Sequence, residues 1–414
     1  MKVLHLCSTD VVGGAALAAY RLHQGLSKGG TGSQMLVQNK YGQDPSVFGS
    51  SSWAGRQLAV AKYLVDASPA ILSRRGRGAT FSPASFPDRL PDEVARITPD
   101  LVHLHWICGG FVKIETLARL NRPIVWTVHD MWPFTGGCHY SGACRRYTGS
   151  CGCCPELGSD AENDLSRRVW QRKERAWRNL SITLVAPSRW MARCVGESSI
   201  FSRAEVMVIP NGIDTALFAP IDRSLAREML GLPLDRKLIL FGAISPTADL
   251  RKGFGHLLPA IKELASNGWG ATTELVICGS DQSSPRPDFG MRARCIGHVS
   301  SQEKIALLNA AADVVVAPSV QDNLPNTVME ALACGTPVVA FRIGGMIDMV
   351  DHGKSGWLAD PFDCGDLARG IMHVIGDAGR RAEMGRAARE KTMREFEIGN
   401  VARRYQELYA ALSP

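Results

Sequence analysis

The sequence predicts an α/β protein with two tandem domains, each built on a parallel β-sheet. Two observations support this prediction. Short apolar runs rich in β-branched residues alternate with longer helix-period stretches along most of the chain, as they do in parallel sheets covered by helices. The alternation stops at Pro210, Asn211 and Gly212 and then starts again, and a chain of 414 residues has the length of two ordinary domains.

In the first half, each predicted strand is followed by a loop or a helix pattern. A loop with Gly13 and Gly14 leads from the first strand into an Ala-rich helix at residues 15–26. A second helix pattern covers residues 53–72, and Arg74, Arg75 and Arg77 follow it. The predicted strands are residues 2–7, 33–38, 101–106, 124–129, 182–186 and 206–209.

The second half repeats the alternation. We expect two Rossmann-like domains that face each other across a cleft, residues 1–218 with a cysteine-rich insertion at 131–159, and residues 219–393. Residues 394–414 contain a helix pattern after the last strand, and we expect this helix to pack back on the first domain. The predicted strands of the second half are residues 238–241, 274–278, 294–297, 314–317 and 338–341.

The composition is that of a globular protein, with 45% hydrophobic and 21% charged residues. No run reaches the roughly 18 apolar residues that span a bilayer, and the N-terminus fits a strand better than a signal peptide, so we expect a cytoplasmic protein. Residues 1–218 carry 25 Lys and Arg against 17 Asp and Glu. This basic excess fits a membrane surface, a nucleic acid, an anionic substrate or simply a solvated arginine-rich surface.

The most informative stretch is residues 314–341, VVVAPSVQDNLPNTVMEALACGTPVVAF. It predicts a strand, a polar loop, a helix and a second strand, and in parallel sheets such loops bind ligands at the carboxyl ends of the strands. Glu330 lies between apolar residues on the predicted helix. A buried glutamate needs a partner, and a ribose diol, with two hydroxyl donors for one carboxylate, would provide one.

The start of this helix is a candidate anion site. Backbone N–H groups near a helix start can bind a phosphate or a sugar, but an aspartate at this place can also be a simple N-cap that needs no ligand. A proline suits the first turn of a helix. The candidate residues are Asp322, Asn323, Leu324, Pro325, Asn326 and Thr327, with Asp322 as the N-cap candidate.

Arg251, Lys252 and Gly253 form a second candidate anion site before a predicted helix. The two cations can neutralise phosphate oxygens and the glycine lets the backbone approach, but a basic dipeptide on an exposed turn has the same pattern. The sequence has no Gly-x-Gly-x-x-Gly after a strand and no Asp-x-Asp, the common metal-chelating route to a nucleotide diphosphate. We therefore expect no catalytic metal.

In the first domain, Gly13 and Gly14 can admit a phosphate or a sugar close to the backbone, or form an ordinary turn. His129 lies where a predicted strand ends, which places it at the ligand-binding edge of the sheet. His103 and His105 alternate on another strand and therefore point to the same face, with His105 nearer that edge. Three histidines at two strand ends favour a site.

The cysteine-rich insertion predicts a structural metal site. Four of its cysteines have the spacing C-x5-C-x6-C-x2-C, with His139 and Cys153 as spare ligands and several glycines that allow tight turns. Four thiolates make a closed tetrahedral zinc site, while disulfides, an iron–sulfur site and free thiols are alternatives. The four predicted ligands are Cys138, Cys144, Cys151 and Cys154.

As a set, these motifs resemble the large family of retaining glycosyltransferases with the GT-B fold. The segment from Asp322 to Glu330 is similar to the family's Glu-x7-Glu signature. The flanking VVVAPS, EALACGTPVVAF, IPNGID and RKG segments, the Gly-Gly loop and the strand-end His129 are similar to the family pattern as well, so the resemblance covers nearly the whole chain. The cysteine-rich insertion resembles that of bacterial members from exopolysaccharide and capsule gene clusters.

The resemblance implies a role for each candidate residue. Glu330 would bind the ribose hydroxyls of a nucleotide-diphosphate sugar, with UDP and GDP both open as the nucleotide. Arg251 and Lys252 would hold the diphosphate. In the first domain, Gly14 would approach the diphosphate or the sugar, and His129 would contact the donor sugar near the reacting carbon. The donor-sugar pocket would be lined by Asn323, Leu324 and Pro325.

Two positions depart from the family pattern. Asp322 is one methylene shorter than the usual glutamate, and Gly242-Ala243 stands where the family has Gly-Arg, so Arg251 would have to supply that charge. The implied reaction moves a hexose-type sugar, with retention, to a saccharide or lipid-linked saccharide in surface polysaccharide biosynthesis. We expect no nucleic acid partner, and the basic first domain, around residues 53–77, is expected to meet an anionic membrane surface.

The sequence leaves three other functions open. The first is an epimerase of similar two-domain form, which acts on the same donor without an acceptor. The second is a glycoside hydrolase or phosphorylase that uses Asp322 and Glu330 as a carboxylate pair, but nothing in the sequence indicates that the two carboxyls flank one bond. The third is a non-catalytic module that binds a sugar nucleotide or a metal.

Overall fold

The computed structural model describes residues 1–73, 80–242, 249–279 and 287–412. The chain divides into two compact units, Met1–Gly212 with the segment that begins at Val401, and Ile213–Asn400. The sequence placed this division slightly later, after residue 218. Arg74, Arg75, Arg77 and Ala243 lie outside the described residues.

The first unit has a seven-stranded parallel sheet with the strand order β3-β2-β1-β4-β5-β6-β7. The chain leaves β1 toward β2 and leaves β4 toward β5, so a topological switch point lies beyond the carboxyl ends of β1 and β4. The strands are β1 Lys2–Thr9, β2 Gly32–Asn39, β3 Val47–Ser50, β4 Leu101–Leu104, β5 Ile124–Thr127, β6 Ile182–Ala186 and β7 Val206–Val208. The α-helices are α1 Gly14–Lys28, α2 Trp53–Ser73, α3 Leu90–Ile97, α4 Leu165–Trp177 and α5 Arg189–Glu197.

The second unit has a six-stranded parallel sheet with the order β10-β9-β8-β11-β12-β13. Its switch point lies between β8 and β11, so the loops after these two strands are where a ligand site is expected. The strands are β8 Lys237–Gly242, β9 Thr273–Cys278, β10 Arg292–Gly297, β11 Val314–Ala317, β12 Val338–Phe341 and β13 Gly356–Ala359. The α-helices are α6 Arg223–Leu230, α7 Phe254–Ser266, α8 Gln302–Ala311, α9 Asn326–Ala333, α10 Met346–Met349, α11 Cys364–Ile375 and α12 Ala378–Glu395.

The last helix, α13 Ile398–Leu412, packs on the sheet of the first unit. Tyr405, Leu408 and Tyr409 are buried in a cluster with Val3 and Leu101, residues of β1 and β4. The chain therefore returns to the first unit after completing the second. Within the described ranges, no helix has both the length and the apolar character needed to cross a bilayer.

Two strands are absent from the sequence prediction. β3 is a four-residue edge strand with two exposed residues, and β13 begins at a glycine, so neither has the long apolar run on which the prediction relied. β6, β11 and β12 have the predicted bounds, because each lies in the interior of its sheet and its sequence is a short run rich in apolar and β-branched residues.

Candidate functional site

The second unit places a buried carboxylate beside its switch point. Glu330 lies on α9, which follows β11, and is only 4% exposed. Its neighbours Met329 and Ala331 are completely buried. Burial, followed by the negative charge of Glu330, raises the pKa of the Cys334 thiol to about 12. The predicted burial of Glu330 is confirmed, and a charge buried to this extent requires polar partners.

The prediction that Asp322 is the N-cap of this helix is wrong. α9 begins at Asn326 with Pro325 in the N-cap position. Asp322 instead accepts one hydrogen bond from Lys252 Nζ at 2.7 Å and forms an ion pair with Arg251 Nη1 at 3.1 Å. Burial alone would raise the pKa of the Asp322 carboxyl, but Lys252 and Arg251 outweigh burial and hold the pKa below its ordinary value. Asp322 is therefore a charged residue that orients the two candidate phosphate-binding cations.

The cation segment and the β11 loop are fixed against each other. Leu250–Lys252 is a 3-10 turn, and Gly253 follows it with φ of 73°. A Cβ at Gly253 would lie 1.7 Å from the Pro318 carbonyl oxygen, so only glycine fits there. The Val320 N–H donates to the Arg251 carbonyl at 2.9 Å. This close approach explains the glycine after the two cations.

Four charges meet at this edge of the sheet. Arg251 also pairs with Asp249 at 3.1 Å, so two cations face two carboxylates, those of Asp249 and Asp322. Arg251 and Lys252 are each about a quarter exposed. An incoming anion would therefore compete with the carboxylates for N–H donors that are already oriented.

The remaining loop residues differ in their access to solvent. Asn323 and Leu324 are buried, and the Asn323 N–H donates to Asp322 Oδ1 at 3.0 Å. Asn326 is half-buried and Thr327 is exposed. A Cβ at Gly242 would lie 4.0 Å from Thr327 Cγ2, so the start of α9 lies beside the end of β8. The structure thus brings Arg251, Lys252 and the Asp322 loop together and places the start of α9 beside the end of β8.

The first unit has a glycine loop at its own switch point. Gly13 is the N-cap of α1, with φ of 95°, and a Cβ there would meet no atom of the described residues within 4 Å. Gly14 is the first residue of the helix. The buried Asp10 carboxylate holds the loop by accepting N–H bonds from Tyr41 at 2.9 Å and Gly42 at 2.7 Å. Asp10 is not among the residues predicted from the sequence, because its partners are some thirty residues away.

His129 follows β5 at the same edge of the first sheet. Its Nε2 atom lies 3.0 Å from Nδ1 of His105. Burial lowers the pKa of His129 to about 4, against an opposing effect of Asp130, so the imidazole is neutral at pH 7. His103 and His105 lie on the same face, as predicted, with ring centroids 4.2 Å apart. His105 contacts His129, whereas His103 Nδ1 is bonded to the Tyr409 hydroxyl at 2.6 Å.

Asp130 connects this strand end to the cysteine-rich insertion. Its Oδ2 atom accepts a hydrogen bond from His139 Nδ1 at 2.6 Å and one from Trp106 Nε1 at 3.0 Å. His139 Nε2 contacts the Ser82 hydroxyl at 2.9 Å. Both ring nitrogens of His139 are thus occupied, so its prediction as a spare metal ligand is wrong. The insertion instead stabilises the residue next to His129.

The four predicted cysteine ligands share one small cavity. Cys138, Cys144, Cys151 and Cys154 line a volume of about 20 Å³. Burial raises the pKa of Cys151 to about 12 and also raises the pKa values of Cys138 and Cys154, so these thiols are protonated unless a cation stabilises the thiolates. All twelve cysteines lie in the described ranges and none is in a disulfide.

The cysteine sulfurs are grouped but not at ligand spacing. Among the described residues, three potential ligand atoms come within 4.8 Å of one another only at His5, His103 and His105. The spare cysteine, Cys153, directs its thiol to the Asp160 carbonyl at 3.3 Å. By their chemistry, four sulfur donors around one cavity fit a structural zinc ion. Zinc binding at this cavity stays a prediction.

Comparison with known proteins identifies the family. The profile of Glycosyltransferase Family 4 matches residues 12–217, and that of Glycosyl transferases group 1 matches residues 235–377. A D-inositol 3-phosphate glycosyltransferase of Nocardioides sp. is 33% identical over 331 residues, which cover 75% of this chain and 67% of that protein. The chain belongs to the group 1 glycosyltransferases.

Other relatives of this group 1 glycosyltransferase carry related names. A D-inositol 3-phosphate glycosyltransferase of Acidothermus cellulolyticus is 35% identical over 313 residues, which cover 71% of this chain and 63% of that relative's length. The chain thus spans less than two thirds of that relative. An alpha-maltose-1-phosphate synthase of Mycolicibacterium smegmatis is 31% identical over 232 residues, which cover 50% of this chain and 57% of that protein.

Solved structures share the fold. Sucrose-phosphate synthase from Thermosynechococcus elongatus has a TM-score of 0.72 at 20% identity, covering 100% of this chain and 99% of that one. HepE from Anabaena, in complex with UDP-glucose, has a TM-score of 0.64 at 18% identity, covering 99% and 100%. At such identities the likeness shows the fold alone. The prediction of the GT-B fold, with two Rossmann-like parallel-sheet domains, is confirmed.

Proposed function

We propose that this group 1 glycosyltransferase transfers a hexose-type sugar, with retention of anomeric configuration, from a nucleotide-diphosphate sugar to a saccharide or lipid-linked saccharide in surface polysaccharide biosynthesis. The observation that carries the donor assignment is Glu330, a carboxylate buried on an apolar helix at the switch point of the second sheet. A ribose diol gives such a carboxylate two hydrogen bonds. Arg251 and Lys252, which pair with Asp322 on the loop before the Glu330 helix, would receive the diphosphate.

The other site residues have proposed roles in the same complex. Asn323, Leu324 and Pro325 line the donor-sugar pocket, with Asn326 and Thr327 at the helix start. In the first domain, Gly13 and Gly14 leave room for the diphosphate or the sugar, which the open space at Gly13 supports. The neutral imidazole of His129 contacts the donor sugar. Asp322 acts by orienting Lys252 and Arg251.

The proposed reaction needs no metal in its catalytic step. The acceptor oxygen attacks the anomeric carbon from the face that the diphosphate leaves, the bond from that carbon to the diphosphate oxygen breaks, and the acceptor proton passes to a phosphate oxygen. Arg251 and Lys252 stabilise the negative charge that develops on the leaving group, and the binding contacts orient the two reactants. The nucleotide diphosphate leaves with the proton.

A small phosphorylated acceptor is the second candidate. Relatives at 31–35% identity carry the names D-inositol 3-phosphate glycosyltransferase and alpha-maltose-1-phosphate synthase, and both names include a small phosphorylated compound. An acceptor panel of inositol phosphate, sugar phosphates and undecaprenyl-linked saccharides, each with the same donor, separates the two candidates. Release of nucleotide diphosphate that needs the lipid-linked acceptor supports the first candidate. Release that needs only a soluble phosphorylated acceptor supports the second.

We also propose that the cysteine-rich insertion binds a structural zinc ion. Lys173, on α4, is completely buried and donates to the carbonyls of Trp132 and Thr135. Burial lowers the pKa of Lys173 to about 7, while the nearby thiol groups of Cys138 and Cys151 act in the opposite direction. This ammonium group would offset part of the charge of a zinc–tetrathiolate site. Protein purified without chelator should contain about one zinc per chain, and less than about 0.2 would refute the proposal.

We further propose that α2 docks on an anionic membrane surface, where a lipid-linked acceptor would be presented. Along residues 57–72, every exposed position of α2 is uncharged, and most of these side chains are large and apolar. Trp53 and Leu72, near its ends, are 76% and 86% exposed. The opposite side is fixed by Asp66, whose carboxylate accepts backbone N–H bonds from Ser85 and Phe86. An apolar face of this size on a helix in the basic half of the chain fits a lipid interface.

Vesicles of mixed phosphatidylglycerol and phosphatidylcholine test this surface by co-sedimentation. Leu64→Glu and Val65→Glu on α2 should abolish sedimentation, while Met229→Glu, at an exposed apolar residue of the second unit, should not change it. Equal sedimentation of the α2 variants and the wild type would refute the proposal. The proposal would also be refuted if the wild type bound no vesicles and instead formed concentration-dependent dimers that the α2 variants abolish.

A thermal-shift screen against UDP-, GDP- and ADP-sugars tests the donor assignment. A ligand at 100 times its dissociation constant stabilises the folded state by about 2.7 kcal/mol, which is a readily measured shift of the midpoint. We expect a shift with one nucleotide class. No shift with any of them at millimolar concentration would contradict the donor site.

A further inference from the structure

Three imidazoles form a continuous chain that ends at His129. His5 lies on β1, His105 follows β4 and His129 follows β5, and these strands are neighbours in the sheet. His5 Nδ1 lies 3.0 Å from His105 Nε2, and His105 Nδ1 lies 3.0 Å from His129 Nε2. His5 is completely buried and His105 is 3% exposed. This imidazole chain therefore runs from the protein interior to His129, the predicted site histidine.

Each imidazole of this chain carries one proton at neutral pH. Burial lowers the pKa values of His5 and His105 well below the ordinary value of a histidine and lowers that of His129 to about 4. Neutral imidazole has one N–H donor and one lone pair. Each of the two nitrogen–nitrogen contacts thus needs a donor from one ring and a lone pair from the next. The protons must all point toward His129 or all point toward His5.

The buried end of the chain selects the direction. His5 Nε2 is buried and has no hydrogen-bond partner among the described residues. If the protons point toward His5, this atom carries an N–H group without an acceptor. If they point toward His129, it carries only an unused lone pair. Unpaired buried N–H groups are rare and costly, whereas an unused acceptor is tolerated more often. The direction toward His129 is therefore favoured.

The surrounding groups leave this polarity intact. The ring of His103 packs at 5.0 Å from His5 and 4.2 Å from His105, but its nitrogens bond Tyr409 and Thr127, the latter at 2.8 Å. His23, 6.0 Å from His5, bonds Ser33 and Ser46. Since His103 and His105 use both ring nitrogens in hydrogen bonds, the cluster of His5, His103 and His105 is a hydrogen-bond network and not a metal site. Asp130 is a charged neighbour of His129, and its charge opposes the effect of burial on the His129 pKa.

We propose that His5 and His105 are positioning residues that hold His129 in its Nδ1-protonated tautomer. His129 then offers an N–H donor, and not a basic lone pair, to an oxygen of its ligand. The identity of that ligand as a sugar nucleotide rests on the proposed function, but the tautomer does not. His129 would accordingly stabilise an oxygen by hydrogen bonding and would not act as a general base.

Nitrogen-15 NMR of the histidine-labelled, ligand-free protein tests the tautomer directly. The His129 signals, assigned by their loss in His129→Asn, should show a protonated Nδ1 and an unprotonated Nε2 at pH 7.5. In His5→Phe, which removes the first donor, the shifts of His129 should move toward the other tautomer. A wild-type His129 that is protonated on Nε2, or that averages equally between both nitrogens, would overturn the proposal. Because no substrate is used, this outcome is independent of whether the protein is a glycosyltransferase.

Kinetics with the donor found by thermal shift provide the second readout. His5→Phe should lower kcat about threefold to tenfold, the scale of one hydrogen bond, with little change in the KM of the donor. His5→Asn, whose amide N–H can replace the Nδ1 donor, should recover most of that loss. The control is His23→Asn. His23 is a buried histidine near His5 whose ring nitrogens bond Ser33 and Ser46 and not the three imidazoles, so its substitution should leave kcat unchanged. Equal losses in His5→Phe, His5→Asn and His23→Asn would mean that His5 is merely structural.

Discussion

Replacing Glu330 with glutamine tests the donor site with the smallest change of shape. The substitution nearly keeps the side-chain volume, removes the negative charge and replaces one acceptor oxygen with an NH2 donor. If Glu330 accepts two ribose hydroxyl bonds in a site that is 4% exposed, its loss should weaken donor binding by about 2–4 kcal/mol, since hydrogen bonds to a charged group are worth about 1.5–3 kcal/mol each and are not additive. The dissociation constant should rise about 30- to 900-fold.

Isothermal titration with the donor or its nucleotide diphosphate measures this change. Glu274→Gln is the matched control, because Glu274 is an equally buried glutamate of the same unit, 5% exposed, paired with Arg294 at 2.9 Å on β9 and β10. It should lose stability without losing donor affinity. An unchanged dissociation constant in a folded Glu330→Gln protein would refute the ribose assignment, and an equal loss in both variants would mean that charge burial alone explains the effect.

Three further predictions follow from the charged and titratable groups. Lys252→Met should weaken donor binding about tenfold or more, measured by titration, because one charged hydrogen bond to the diphosphate is lost. Asp322→Asn should lower the free energy of unfolding by about 1–3 kcal/mol above pH 4. This deficit should vanish as the pH falls through the lowered pKa of Asp322, because the wild-type carboxyl then also loses its charge. Urea unfolding at several pH values measures both effects. His129, whose pKa falls from 6.5 to about 4 on folding, stays neutral while the unfolded chain is protonated. The wild type should therefore lose about 2 kcal/mol between pH 7.5 and 5 through this group, a loss absent in His129→Asn.

The pattern of alternating elements was sufficient to predict the fold of both units. Buried parallel strands such as β11 and β12 have uninterrupted apolar runs rich in β-branched residues. The positions of Gly13 and His129 after strands, and of Glu330 on the helix that follows β11, were predicted from the same pattern. Edge strands such as β3 lack that signal because they bury little surface. The local sequence therefore predicts where a ligand site lies better than it predicts the edges of the sheet.

The role of Asp322 could not be derived from the sequence, because its partners are distant in the chain. A local preference for aspartate at a helix start predicted an N-cap, but Lys252, seventy residues earlier, forms the stronger interaction. The same limit applies to the histidine chain. His103 and His105 suggested a shared face, but their contacts with His5, Tyr409 and His129 depend on strand order and on the return of α13.

The insertion connects the predicted cysteine ligands of the first domain with His129, the predicted site histidine. Cys138 and His139 are adjacent, and His139 holds Asp130, the neighbour of His129. If zinc orders the insertion, its removal should also disturb His129. The NMR signals of His129 would then report zinc loss at a distance from the cysteines.

Proton NMR of a single reaction provides the clearest test of retaining glycosyl transfer, using the donor identified by thermal shift and the acceptor identified by the panel. We predict that the anomeric signal of an α-linked donor disappears only when the acceptor is present, and that a new α-linked anomeric signal replaces it together with free nucleotide diphosphate. A β-linked product would contradict retention. An epimerised donor without acceptor, free sugar in place of a glycoside, or a bound donor that never turns over would contradict glycosyl transfer itself.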